Sequence, residues 1–344
     1  MYEVDHIVYD NWTFLNLHNS SYKFVNIFDV VDREFLILPR EQIIKNTNGE
    51  SFWIDLSHEP YNGSDIAIKQ CLIEQGHPNF YILTGNLNFF NKLDKHIIFQ
   101  PQSYFDSRFN IDMVPKIEID AVRNSQRRFK ISCLNGRSRA HRIQNYILLK
   151  QKMYFDELLF SMHNQFSEIK EVRESDYINS VNKDIRNQWE NVRHALPRHY
   201  KNDWSATDDA YTNSYINFVT ETSVEGEYWF LSEKVWKPIM AGQLFLLLAQ
   251  PGSIQHLRDV GIDVFDDLID HSYDLEPRWQ VRLDMIHKEI DRLVTLEWNS
   301  IFDQTEERRI ANYNYFYSKE LYTRYTQHLD PNSINLPEKL IDFV

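Results

Sequence analysis

Cysteine is nearly absent from this chain of 344 residues, which contains only Cys71 and Cys133. Two thiols cannot build a disulfide framework or a cysteine-rich zinc cluster, so a reducing compartment is expected. Glycine is scarce too, at 9 residues, which argues against a glycine-rich loop as the main phosphate-holding device. Long apolar runs are missing. Residues 244–249 form the longest, far short of the roughly 20 needed to span a bilayer. The first residues, Met1-Tyr-Glu-Val-Asp-His6, lack the basic and apolar regions of a secretory signal. A soluble, cytoplasmic protein without a membrane span is therefore expected, and the sequons at Asn11, Asn19 and Asn62 carry no weight. The 13 histidines show no paired i, i+4 spacing with an accompanying acid, so no metal site is expected. Asp208-Asp209, ahead of a predicted strand, reads as a helix cap or surface loop.

What is present is a large apolar complement, 42% hydrophobic and 14% aromatic, under a net charge of -13. That charge opposes non-specific adhesion to nucleic acid. A local basic groove is still conceivable, and residues 123–130 are the candidate. Strands are predicted at 23–28, 35–38, 52–56 and 80–83, with a helix over 64–74 whose Ile66, Cys71 and Leu72 share a side. After a polar stretch at 115–126 the alternation restarts. Strands fall at 129–134, 158–162, 215–219 and 245–248, and helices at 139–152 and 175–194. A further helix starts at Ser232 and ends at Gly242, and a short one opens at Pro251 and stops at Gly261. Long helices follow over 278–298 and 305–329. Strands alternating with helices imply βαβ units and parallel sheets. The expected fold is α/β with two Rossmann-like domains facing a central cleft and closing C-terminal helices. The expected division is an acceptor-side domain over 1–122, a nucleotide-binding domain over 123–302 and a helical segment over 303–344. The last segment has two open fates: closure onto the N-terminal domain or pairing between chains.

Two motifs carry chemistry. In Leu134-Asn-Gly-Arg-Ser-Arg-Ala-His-Arg142 a strand turns into a helix start rich in donors, including Arg137, Arg139, His141 and Arg142. A helix N-terminus presents free N–H groups and partial positive charge, so it suits phosphate; an exposed basic turn is the plain alternative. In the second motif, Asn217-Phe-Val-Thr-Glu-Thr222 precedes Phe230-Leu-Ser-Glu-Lys-Val-Trp-Lys-Pro238. Here Ser232 is a predicted N-cap, and Lys234 in the first turn opposes the helix dipole unless an anion compensates it. Glu221, at a strand end near the same crevice, can accept hydrogen bonds from sugar hydroxyls. The plain alternative is that Glu221 or Glu233 pairs with Lys234 or Lys237 and no ligand is involved.

Taken together, the order of strand, glutamate turn, aromatic-Leu-Ser-Glu-Lys helix, Ala-Gly, apolar strand and Pro-Gly resembles the donor-binding half of the α-1,3-fucosyltransferase family, over residues 129–274. That family carries an aromatic-Val-Thr-Glu-Lys helix in this setting. The resemblance implies a two-lobed GT-B fold and inverting sugar transfer from a GDP- or UDP-linked donor, with no cofactor or essential metal. It implies donor contacts from Arg139, Arg142, Glu221, Ser232, Glu233, Lys234 and Lys237. The 53–60 stretch resembles the family's Thr-Gly-Glu-Asn loop, which makes Glu59 the first candidate base, with His58 and Asp55 as fallbacks. The sequence departs from the family at Ser232, which replaces Thr, at the Val-Thr-Glu-Thr strand end, and at the acidic stretch 265–274. A glycan is the expected acceptor. A hydroxylated DNA base, as in phage transferases, is the alternative, and a non-catalytic nucleotide-binding module is a second one.

Overall fold

The computed structural model describes residues 23–25, 38–47, 49, 52–57, 64–77, 80–92, 94–109, 116–136, 139–162, 187–188, 209–226 and 228–327. The chain forms two compact units. The first collects 1–109, 226–230 and 318–344; the second collects 110–225 and 231–317. The predicted strand over 35–38 and helix over 175–194 lie almost wholly outside the described residues.

The first unit is built on strands β1 (Lys23–Val25), β2 (Phe52–Leu56), β3 (Phe80–Thr84) and β4 (Ile97–Phe99), paired in that order and all parallel. Parallel neighbours need long crossovers, which helices α1 (Arg40–Thr47) and α2 (Ser64–Glu74) supply; α3 (Gln102–Phe109) follows β4. The core joins Ile54, Leu56, Phe80 and Ile82 of the sheet to Ile43, Ile68 and Leu72 of the helices. Helix α2 spans its expected residues but shows a different face. Ile66 is 45% exposed, while Asp65, Ile68 and Leu72 are buried. Those three sit at i, i+3 and i+7 on one stripe. Asp65 sets the rotation by accepting from the Thr84 hydroxyl (3.0 Å) and the Asn86 amide (2.9 Å) beyond β3. Segment 226–230 closes this edge, with the Tyr228 hydroxyl donating to the Leu56 carbonyl at 2.9 Å. Gly85 is required here, because a Cβ would lie 2.7 Å from the Ser57 carbonyl and 2.8 Å from the Phe230 ring.

The second unit has β5 (Phe129–Asn135), β6 (Leu158–Met162), β7 (Ser214–Thr220) and β8 (Leu244–Leu248), again all parallel, in the order β6-β5-β7-β8. Every residue of β6, β7 and β8 is buried, as a parallel sheet covered on both faces requires. Its helices are α4 (Ile119–Arg123), α5 (Ala140–Lys150), α6 (Asp209–Thr212), α7 (Glu233–Met240), α8 (Ser253–Asp259), α9 (Trp279–Leu293), α10 (Trp298–Gln304) and α11 (Glu306–Phe316). The expected 278–298 helix is thus interrupted after Leu293, where the Trp298 indole donates to the Leu293 carbonyl at 2.8 Å. The expected 305–329 helix stops at Phe316, and Ser318 caps a new one, α12 (Lys319–Thr326), by accepting from the Leu321 N–H at 3.1 Å. Helix α12 belongs to the first unit, where the Tyr325 ring stacks 5.0 Å from Tyr104 and Arg108 donates to the Ser318 carbonyl at 2.7 Å.

Part of the basic stretch 123–130 is used internally, while Arg123 and Arg128 stay exposed. Arg127 is buried, donating to the carbonyls of Tyr211 and Ser214 (both 2.9 Å) and Ala241 (3.2 Å). Burial, with Arg309 nearby, pushes its guanidinium down to about 9. Lys130 donates to the Val294 carbonyl at 2.6 Å. The acidic stretch after Gly261 is likewise used internally. Asp263 and Asp267 pair with Arg308, Asp266 pairs with Arg258, and the Asp274 carboxylate caps α8 through the N–H groups of Ile254 and Gln255, both at 3.0 Å.

Gly242 ends α7 in a Schellman turn, its N–H bonding the Ile239 carbonyl while the Gln243 N–H bonds the Pro238 carbonyl. Its φ is +58°, and a Cβ there would lie 2.5 Å from Val122. Gly242→Ala is expected to destabilise the protein by roughly 2 kcal/mol or more, combining left-handed strain with overpacking. A urea melt measures this, and an unchanged midpoint would contradict the turn's role.

Candidate functional site

The order β6-β5-β7-β8 starts in the middle. After β5 the chain steps outward to β6, then crosses back to β7 on the other side. Between β5 and β7 the windings part, and in such sheets the crevice outside the carboxyl ends of the strands is where ligands bind. Both motifs singled out in the sequence converge there.

Four residues after β5 comes Arg139, at the N-cap position of α5. Two first-turn residues of α5 grip the end of β7. Arg142, only 2% exposed, donates to the Thr220 carbonyl at 2.8 Å, and the His141 Nε2 donates to the Glu221 carbonyl at 2.9 Å. Glu221 is fully buried. Its two carboxylate oxygens accept from the Ser232 N–H (2.9 Å) and the Thr222 N–H (3.2 Å). That bond delivers Ser232 to the start of α7, where its hydroxyl caps the helix by accepting from the Lys234 N–H at 3.3 Å. Lys234 then folds back, its ammonium 2.6 Å from Glu233 and 3.5 Å from the Ser232 hydroxyl. Glu233 and Lys234 remain partly open, with side chains 13% and 23% exposed. Arg139 is also partly exposed, whereas Lys237, one turn further along α7, is buried.

The electrostatics follow from burial among like and unlike charges. Burial, and then Arg139, push the Arg142 guanidinium down to about 10, with Glu221 and Glu233 opposing. Burial and the neighbouring Arg142 and Arg139 hold His141 well below the usual imidazole range, so it sits neutral. Burial pushes Glu221 up against the pull of Lys234 and the Ser232 bonds. Burial also works to raise Glu233, but Lys234 and Lys237 outweigh it and hold the carboxyl at about 2. The edge therefore carries a carboxylate that is ionised at neutral pH beside partly exposed cations at two helix N-termini, α5 and α7. Such a set can hold an anion's oxygens and accept hydrogen bonds from hydroxyls.

Arg139, Arg142, Glu221, Ser232, Glu233, Lys234 and Lys237 thus gather at one place, and four of them, Glu221, Ser232, Glu233 and Lys234, are linked by hydrogen bonds and an ion pair. Arg142 and Glu221 face inward rather than into the crevice. Glu59, His58, Arg137 and Asp208 lie outside the described residues; Asp55 is in β2, and Asp209 starts α6. Asn135, the second residue of the first motif, is not among the donors singled out there; it is the last residue of β5. Among the described residues, no group of three or more His, Cys, Asp or Glu could hold a metal ion, and no helix is long and apolar enough to cross a membrane. No family model matches the chain, and no curated protein matches it.

Glu233 yields a pH prediction. Its folded value of about 2 lies below the ordinary glutamate value of 4.5, so its stabilising contribution is fully present above about pH 4.5 and is lost as pH falls toward about 2. The stability difference between wild type and Glu233→Gln is expected to be flat near neutrality and to shrink across that window. Urea titrations of both proteins at a series of pH values measure it, and curves that stay parallel down to pH 2 would refute the ion pair.

Proposed function

We propose that the chain is a glycosyltransferase that moves a sugar from a GDP- or UDP-linked donor to a hydroxyl acceptor, with inversion and without an essential metal. The observation that carries this reading is the convergence of two helix N-termini, α5 with Arg139 and Arg142 and α7 with Ser232, Glu233 and Lys234, at the switch point of a doubly wound parallel sheet. The resemblance of this region to the α-1,3-fucosyltransferase donor half supports it, as do two α/β units each carrying a parallel four-stranded sheet, the composition of a GT-B arrangement.

The roles divide by exposure. Arg139 and Lys234 contact the diphosphate, and Glu233 accepts from a ribose hydroxyl. Arg142 and Lys237 add positive charge from within, while Glu221 and Ser232 hold the start of α7 in place. In the reaction a base takes the acceptor's hydroxyl proton, the oxygen bonds to the anomeric carbon, and the bond to the diphosphate breaks. Negative charge then grows on the leaving diphosphate, where Arg139 and Lys234 are preorganised to stabilise it. Glu59, which follows β2 in the sequence, is the proposed base, with His58 and Asp55 behind it, and a glycan is the proposed acceptor. A DNA acceptor is the alternative; of the basic stretch, Arg127 and Lys130 bond backbone carbonyls while Arg123 and Arg128 are exposed.

One observation favours a second reading. Lys234 pairs with Glu233, and Glu221 is satisfied by two backbone N–H groups. The edge is therefore stable without a ligand, as in a module that binds nucleotide without turnover.

Thermal shift with GDP, UDP and GDP-fucose tests both readings. At least one nucleotide is expected to raise the melting midpoint. Lys234→Ala is expected to weaken that binding about tenfold or more, the equivalent of one lost charge-assisted contact. If no nucleotide shifts the midpoint, both readings fail. The proposed base is tested separately. Glu59→Gln should lower sugar transfer about a hundredfold or more while leaving nucleotide affinity unchanged, and unaltered turnover would exclude it. Nucleotide binding without transfer to any glycan acceptor would select the non-catalytic module.

A further inference from the structure

Pairing along the second sheet is uneven at its carboxyl edge. β5 pairs with β6 through Asn135↔Met162, and β7 with β8 through Thr220↔Leu248, the last residues of β5 and β7. Pairing of β5 with β7 ends at Ser132↔Asn217, three residues before both strand ends. The gap lies at the switch point. It is bridged by side chains instead: the Thr220 hydroxyl donates to the Asn135 Oδ1 at 2.5 Å. The same buried amide donates to the Ser161 carbonyl of β6 at 3.3 Å and to the Cys133 Sγ at 3.4 Å, so one side chain ties together the ends of three strands. Thr220 is also the residue whose carbonyl Arg142 grips, and Glu221 follows it.

We infer that Asn135 and Thr220 are a positioning pair for the proposed donor site. Where the backbone ladder stops, their bond sets the separation of β5 and β7, and through Thr220 it fixes where Arg142, Glu221 and hence the start of α7 are held. The bond is buried, so no competing water weakens it, and a lost partner leaves the other unsatisfied. The inference rests on the donor reading for its function but not for its geometry.

Thr220→Val replaces the hydroxyl with a methyl of similar size, and Thr220→Ser restores the hydroxyl. Asn135→Ala breaks the same link from the other strand. Two measurements are made on the full chain: affinity for GDP and UDP, and hydrogen exchange of the Glu221, Thr222 and Ser232 amides without nucleotide. Thr220→Val and Asn135→Ala are expected to weaken nucleotide binding about tenfold and to speed exchange at those amides, with Thr220→Ser close to wild type in both. Unchanged exchange in Thr220→Val overturns the inference, as does a Thr220→Ser variant as impaired as the valine. So does unchanged affinity in Thr220→Val. A wild-type protein that binds neither nucleotide strikes the donor reading instead, and the exchange measurement still decides the positioning pair.

Discussion

A buried carboxylate accepting two backbone N–H groups organises the second unit's edge. Glu221 reaches from the end of β7 to the N–H of Ser232, eleven residues on, and to that of Thr222 beside it. An ionised carboxylate taken out of water is tolerable only when its lone pairs are met, and here the partners are backbone donors that would otherwise be orphans. The same bond sets where α7 begins, because Ser232 both donates to Glu221 and caps the helix. Lys234, Glu233 and the helix dipole are placed as a consequence.

Around that carboxylate the cations sort by depth. Arg142 is deep and spends a donor on the Thr220 carbonyl, so its charge acts from within the wall. Lys234 and Arg139 are shallower. A cation at the start of a helix is unfavourable, and Glu233 offsets it at a separation of 2.6 Å. The pair is thus a local remedy for the cation at the helix start. Neutral His141, pressed by two arginines, adds a donor to the strand end without adding charge.

Much of this architecture was legible in the residues. Helix α2, strands β2 and β6 and the Ser232 cap fall at their expected positions, because each is bounded by strong punctuation: a serine cap, a glycine turn or an unbroken apolar run. Other elements were invisible for physical reasons. β4 is three residues long, too short for periodicity to register, and α3 is mostly polar. The breaks after Leu293 and at Ser318 depend on a tryptophan indole and a serine hydroxyl finding particular partners, which no local pattern announces. The face of α2 was misjudged because Asp65, a polar residue, is among the buried ones; its inward turn is enforced by Thr84 at the end of β3 and by Asn86 just after it.

The amino-acid sequence by itself determined the α/β alternation, the parallel character of the strands and the two donor-rich helix starts, since these follow from hydrophobic period and capping chemistry over short spans. Only the tertiary structure decided that the two starts share one crevice, because strand order is set by long-range packing rather than by neighbours in the chain. It also decided that Arg127 and the acidic stretch after Gly261 serve the interior, that Arg142 and Glu221 face inward, and that an asparagine and a threonine 85 residues apart meet where the backbone ladder ends. A buried hydrogen bond gains its strength from the exclusion of water, and that exclusion exists only once the whole sheet has been assembled.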